Sequence, residues 1–117
     1  MALEIKRVYE KPAASDGKRV LVDRLWPRGV SKASAKIYVW MKEVSPSSEL
    51  REWFSHDPKR WQEFKRRYRK ELKENAAFTE LEKLAKRSKI TLVYGAKDTE
   101  HNNAAALAWF IGHLSTP

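Results

Sequence analysis

The amino-acid sequence predicts an α/β protein in which a mostly parallel sheet carries helices on both faces. Two observations lead to this fold class. Short apolar, β-branched runs are interleaved with longer segments of helical periodicity. Each predicted strand is also continuously apolar, as is typical of strands that are buried on both sides. Because no repeat or linker interrupts the 117 residues, we expect residues 1–117 to form one compact domain.

Composition excludes several classes of function. The chain has no cysteine, which rules out disulfides, thiolate catalysis and thiolate-bound metals. The three histidines lack metal-ligand spacing and no glycine-rich phosphate motif is present, so we expect neither a metal nor a cofactor. No apolar run reaches the roughly 20 residues of a membrane helix, and the N-terminus lacks a secretory pattern. We therefore expect a cytoplasmic protein without membrane contact.

The first part of the chain contains three of the four predicted strands. Residues 3–9 form the first, and a turn-rich segment leads to the second at residues 19–23. Pro27 and Gly29 prevent this second strand from continuing. One helical turn is expected at residues 31–36, followed by a third strand at residues 37–41.

Three helices, a strand and a last helix complete the fold. Ser45 or Ser47 is expected to cap a short helix, and Asp57 followed by a proline begins a longer one. A third helix ends near residue 88, and the strand at Ile90–Tyr94 is the clearest in the sequence. Thr99 or Asn102 is expected to cap the last helix.

Charged residues follow three of the predicted strands, and parallel neighbours would bring these strand ends to one edge of the sheet. Cations gathered there repel one another unless carboxylates or a bound anion compensate them. We therefore expect a pocket for a small molecule that carries phosphate or carboxylate, and we leave open whether it performs catalysis. The ligand-binding candidates are Arg24, Trp26, Pro27, Arg28, Lys42, Lys97 and Asn102, and the candidate catalytic residues are Asp23, Asp98 and His101.

A purely structural interpretation of the same residues is also open. Asp23 and Arg24 would then pair with each other at the end of a strand, and His101 would belong to a helix cap. In that case the protein would be a small interaction or scaffold protein.

The segment 59–73 supports a different function. It carries eight basic residues against two glutamates, and the chain as a whole has a net charge of +9. A basic helix face can neutralise the phosphates of a nucleic acid, and Arg66, Arg67 and Lys70 are the candidate contacts. Trp61, Phe64 and Tyr68 interleave at helical spacing, which is more typical of a core stripe than of stacking platforms.

Five blocks of sequence resemble the YeaO-like proteins, an uncharacterised family built on domain of unknown function 488. They are VDRLWPRG at 22–29, WMKEVSPS at 40–47, LREWFSHD at 50–57, YGAKD at 94–98 and HNNA at 101–104. The resemblance covers nearly the whole chain and implies a compact α/β domain, but no reaction. It also implies that Asp23, Arg24, Pro27, Lys97, Asp98 and His101 belong to the site. The sequence departs from the family's pattern at Tyr38, a position that is often acidic, and at Gly95, which is often alanine.

Overall fold

Four short parallel strands form the sheet that positions the rest of the chain. The computed structural model describes residues 3–114, with side chains as far as residue 112. The strands are β1 (Leu3–Arg7), β2 (Lys18–Leu21), β3 (Val39–Trp40) and β4 (Ile90–Tyr94). Their order across the sheet is β1-β4-β2-β3, and every neighbouring pair is parallel. All four carboxyl ends therefore meet at one edge of the sheet, with β4 and β2 in its centre.

Within the described residues, the helices cover the two faces of this sheet unequally. They are α1 (Lys32–Ala35), α2 (Ser48–Phe54), α3 (Trp61–Leu72), α4 (Ala76–Arg87) and α5 (Asn103–Leu114). The four longer helices share one large core with Val20 and Leu92, which point to the same face. Leu21 and Val93 point to the other face, where Ala35 of α1 and several loop residues cover them. The predicted α/β class is confirmed, and one of its two faces carries only a single α-helical turn.

The strands are shorter than the sequence predicts, because hydrogen-bonded pairing ends where the chain turns away. β3 contains two residues, after which the N–H of Met41 donates to the carbonyl of Leu21 and a 3₁₀ turn follows. β2 ends at Leu21, and the N–H of Val22 still donates to the carbonyl of Val93 at 3.1 Å. Asp23 is therefore the first residue beyond this ladder.

Short polar side chains begin the helices. Of the two serines predicted as caps of α2, Ser47 accepts a hydrogen bond from an N–H in the first turn at 3.1 Å. Asp57 caps a 3₁₀ turn at Pro58–Arg60, which leads directly into α3. At the start of α5, Asn102 Oδ1 accepts a hydrogen bond from the N–H of Ala105 at 2.8 Å. These contacts place the first residues of α2 and α5 beside the carboxyl edge of the sheet.

A buried ionic cluster stabilises the sheet face that α1 covers. Asp16 and Arg19 are each only 3% exposed, and Arg19 Nη1 donates to Asp16 Oδ2 at 2.8 Å. Lys6 of β1 donates to Asp16 Oδ1 at 3.1 Å. Burial alone would raise the pKa of Asp16, but hydrogen bonds from the N–H of Ala13, from Lys6 and from Arg19 outweigh it and hold this pKa below its usual value.

Candidate functional site

A pocket of about 500 Å³ opens at the carboxyl edge of the sheet, where β2 and β4 end side by side. Its walls come from residues 23–25 after β2, parts of residues 45–56 around α2, Phe64 of α3, Ala96 after β4, and residues 101–103 at the start of α5. This is the place where ligands bind in open α/β sheets, since strand ends and helix starts leave a crevice there. Four of the predicted site residues line it: Asp23, Arg24, His101 and Asn102.

Asp23 is anchored at the end of β2 by the neighbouring strand. Its Oδ2 accepts a hydrogen bond from the N–H of Gly95 at 2.8 Å. A Cβ at Gly95 would lie 3.2 Å from this oxygen, so the absence of a side chain there permits the close approach. Burial raises the pKa of Asp23 above its usual value, although hydrogen bonds from Gly95 and from the side chain of Asn103 oppose the shift.

Arg24 and Arg51 enter the pocket from different segments and meet at one neutral group. Arg24 Nη1 donates to Ser48 Oγ at 2.8 Å, and Arg51 Nη2 donates to the same oxygen at 3.3 Å. Across the described residues, neither guanidinium forms an ion pair with a carboxylate. Two guanidinium groups therefore face the pocket together without being paired, although the carboxylates of Asp23 and Glu52 also line it.

The predicted histidine is oriented by a neighbouring carboxylate. His101 Nδ1 lies 2.9 Å from Asp98 Oδ2, and the His101 ring meets Trp61 edge-on with the ring centroids 5.3 Å apart. Asp98 also closes the turn before α5, where its Oδ1 accepts hydrogen bonds from two backbone N–H groups. Hydrogen bonds from the N–H of Glu100 and from His101 hold the pKa of Asp98 below its usual value, although burial opposes the shift. His101 lines the pocket, whereas Asp98 lies outside the lining and orients the His101 ring.

Comparison with known proteins identifies the family of this chain. The family model described as the inactive DUF488-N3 subclade matches residues 2–115. This chain belongs to the YeaO-like DUF488 family. Over 106 residues it is 46% identical to the uncharacterized protein Rv3073c of Mycobacterium tuberculosis strain H37Rv, an alignment that covers 91% of this chain and 90% of that protein. Over 115 residues it is 41% identical to the uncharacterized protein YeaO of Escherichia coli K12, with 97% of this chain and all of that protein covered. No solved structure matches it significantly.

The other predicted ligand-binding residues of this DUF488 protein lie outside the pocket wall. Beyond Arg24 the chain crosses to the sheet face covered by α1, where Trp26 meets Trp40 edge-on at 5.5 Å between ring centroids. Pro27 is buried, Arg28 and Lys97 are exposed, and Lys42 lies 5.2 Å above the ring of Trp40. Packing of Trp26 against Trp40 therefore turns this part of the chain away from the pocket, although Trp26 lies only two residues after Arg24.

Six polar residues that were not among the predicted site residues also line the pocket: Ser45, Arg51, Glu52, Ser55, His56 and Asn103. Arg51 lies three residues after Ser48 on α2, so the two share one helix face. His56 follows Ser55 at the end of α2, and both residues have positive φ angles, 54° and 48°. These conformations, which are uncommon for residues other than glycine, reverse the chain and return His56 to the pocket. Only the Ser47 cap, which sets the register of α2, could have indicated Arg51 in advance.

The basic segment around α3 has an inner and an outer face. Phe64 and Tyr68 are buried in the core, as their spacing indicated, while Trp61 is half-buried. On the outer face, Arg66 and Arg67 both pair with Glu63, at 2.6 and 2.8 Å. These hydrogen bonds lower the pKa of Glu63 to about 2. Lys70 is also exposed. The surface is accessible, but a glutamate already compensates part of its charge.

The described residues contain no group of three or more His, Asp or Glu side chains placed to hold a metal ion. Among the helices described, none combines the length and the apolar character that crossing a membrane requires.

Proposed function

We propose that the pocket at the carboxyl edge of the sheet binds a small molecule that carries a phosphate or carboxylate group. The observation that carries this proposal is the meeting of Arg24 and Arg51 at the hydroxyl of Ser48, where neither guanidinium forms an ion pair within the described residues. Their donating nitrogens lie within about 6 Å of each other, so the two charges repel by about 0.7 kcal/mol in bulk water and roughly 3 kcal/mol at an effective dielectric of 20. Both side chains are exposed, so the repulsion lies nearer the lower value. An anion between them replaces this repulsion with two attractions.

The chemistry of these side chains favours an oxyanion. A guanidinium presents planar, paired N–H donors that match two oxygens of a phosphate or carboxylate. His56 and His101 add two imidazole rings to the same pocket. The acidic residues of the pocket lining are Asp23 and Glu52, and burial, which raises the pKa of Asp23, lessens the tendency of this residue to be ionised.

Binding is favoured over catalysis. The matched subclade of the family is described as inactive. Asp98 then serves to orient the His101 ring in the pocket, and Asp23 holds Gly95 and the start of the loop after β4. The candidate catalytic residues Asp23, Asp98 and His101 therefore become binding and positioning residues in this proposal.

Thermal unfolding in inorganic phosphate tests the proposal, with sodium chloride at matched ionic strength as the reference. We expect phosphate to raise Tm of the wild-type protein more than chloride does. Either Arg24→Gln or Arg51→Gln should abolish the difference, and the control Arg28→Gln, whose exposed position lies outside the pocket wall, should preserve it. An acetate series separates a carboxylate preference from a phosphate preference.

The alternative site on α3 is decided by the same measurement. A triple variant that reverses Arg66, Arg67 and Lys70 to glutamate leaves the pocket intact. If the triple variant loses the phosphate effect while Arg24→Gln and Arg51→Gln keep it, the anion binds to the helix and the pocket proposal is wrong. An equal response to phosphate and chloride in the wild-type protein would also refute it.

A further inference from the structure

One side of the pocket is apolar and includes an unusually exposed leucine. Leu25, which follows Arg24 directly, lines the pocket and is 72% exposed to solvent. It is the most exposed of the large hydrophobic residues described in the chain. Single exposed leucines are common on protein surfaces. This one, however, stands at a pocket whose other apolar lining residues are Pro46, Phe54, Phe64 and Ala96.

The apolar lining lies next to the arginine pair. Phe54 is three residues after Arg51 on α2, so one helix supplies both a cation and an aromatic ring to the pocket. Phe54 stacks on Phe64 with the ring centroids 4.4 Å apart, which holds this wall in place. Leu25 and Arg24 are consecutive, so the loop after β2 likewise supplies a cation and an apolar group. Two separate segments thus each supply an arginine and an apolar side chain to the pocket.

The size of the pocket agrees with a ligand larger than a simple anion. Its volume of about 500 Å³ lies within the range of small-molecule sites, roughly 300–1,000 Å³. An inorganic phosphate held by Arg24 and Arg51 would leave the space beside Phe54 and Leu25 filled by water. Water against apolar groups is unfavourable, so a ligand with an apolar portion at this place gains affinity by displacing it.

We infer that the ligand of this pocket is an organic anion whose phosphate or carboxylate is attached to an apolar group, and that Leu25 covers this group. The inference rests on the proposed function, since Arg24 and Arg51 hold the anionic group. It adds a substrate class, an organic phosphate or carboxylate with an apolar substituent rather than a free inorganic ion, and it assigns Leu25 as the residue that determines specificity.

Calorimetric titration with two probes tests the inference: phenyl phosphate and inorganic phosphate. In the wild-type protein we expect phenyl phosphate to bind about tenfold more tightly, because its six-carbon ring removes apolar surface from water against the apolar wall of the pocket. Leu25→Ser should reduce the preference by roughly threefold or more, the effect of one or two methylene groups. Because Leu25 is largely exposed, the substitution leaves the core unchanged.

Tyr38→Ser is the matched control. Tyr38 is another large hydrophobic residue, 59% exposed, and does not line the pocket. Its loss should leave the preference for phenyl phosphate unchanged. Equal affinities for both probes in the wild-type protein would overturn the inference while keeping the anion site. A preference that persists in Leu25→Ser, or that falls equally in Tyr38→Ser, would overturn the role of Leu25. If neither probe binds, the proposed function fails as well.

Discussion

Replacing Arg51 with glutamine should make the free protein more stable while it weakens anion binding. The substitution removes one of two like charges whose donating nitrogens share the hydroxyl of Ser48. At a separation of about 6 Å, the repulsion is roughly 3 kcal/mol at an effective dielectric of 20 and about 0.7 kcal/mol in bulk water. Arg24 and Arg51 are both exposed, so the value lies nearer the lower limit. We expect a gain of about 1 kcal/mol, which corresponds to a Tm increase of about 4 °C.

Thermal and urea unfolding in a buffer without oxyanions measure this gain. Adding phosphate should reverse the order, because it stabilises the folded wild-type protein and has less effect on Arg51→Gln. Arg28→Gln, which removes an exposed charge outside the pocket wall, is the control and should change neither measurement. If Arg51→Gln lowers Tm without phosphate, or behaves like the control, the two arginines do not repel each other appreciably. The main argument for an anion site would then be refuted.

Two further predictions concern stability. Asp16→Asn leaves Arg19 buried and charged without its partner, so the free energy of unfolding should fall by about 3 kcal/mol in urea at neutral pH. Because the pKa of Asp16 is below its usual 3.8, the difference in unfolding free energy between the wild type and Asp16→Asn should shrink as pH falls through the folded-state pKa. A pH-independent difference would contradict a stabilising role of the ionised carboxylate. Gly17→Ala should lower the free energy of unfolding by several kcal/mol more than Gly29→Ala does, and equal losses in urea unfolding would contradict this prediction. Both glycines have positive φ, but a Cβ at Gly17 alone would lie 2.4 Å from a backbone oxygen.

Local patterns were sufficient to predict most elements of the fold. The strand at Ile90–Tyr94 has the predicted bounds, since five consecutive apolar or β-branched residues are typical of a strand that is buried on both faces of a sheet. The stripe through Phe64 and Tyr68 is buried as its helical spacing indicates. Asp57 with its proline and Ser47 begin helical segments as expected of capping residues. These features depend on interactions within a few residues, so the sequence contains them directly.

The bounds of the edge strands could not be predicted in the same way. The segment around β3 is apolar over five residues, but only Val39–Trp40 pairs as a strand. Its length depends on how far the neighbouring β2 extends, and on the 3₁₀ turn that follows. Pairing between strands that are distant in sequence is set by the whole sheet, so a local pattern overestimates its extent.

Sequence alone specifies that polar groups follow the central strands, because an apolar run must end before a charged residue can reach solvent. Asp23 and Arg24 after β2, and His101 and Asn102 before α5, follow from this rule, and they line one pocket. Packing between distant segments selects which of the remaining groups join them. The contact of Trp26 with Trp40 takes Arg28 and Lys42 to other surfaces, whereas the Ser47 cap and the positive φ angles after α2 bring in Arg51 and His56. The direction of the chain after β2 depends on the contact between Trp26 and Trp40, which are distant in sequence, and no local pattern encodes that contact.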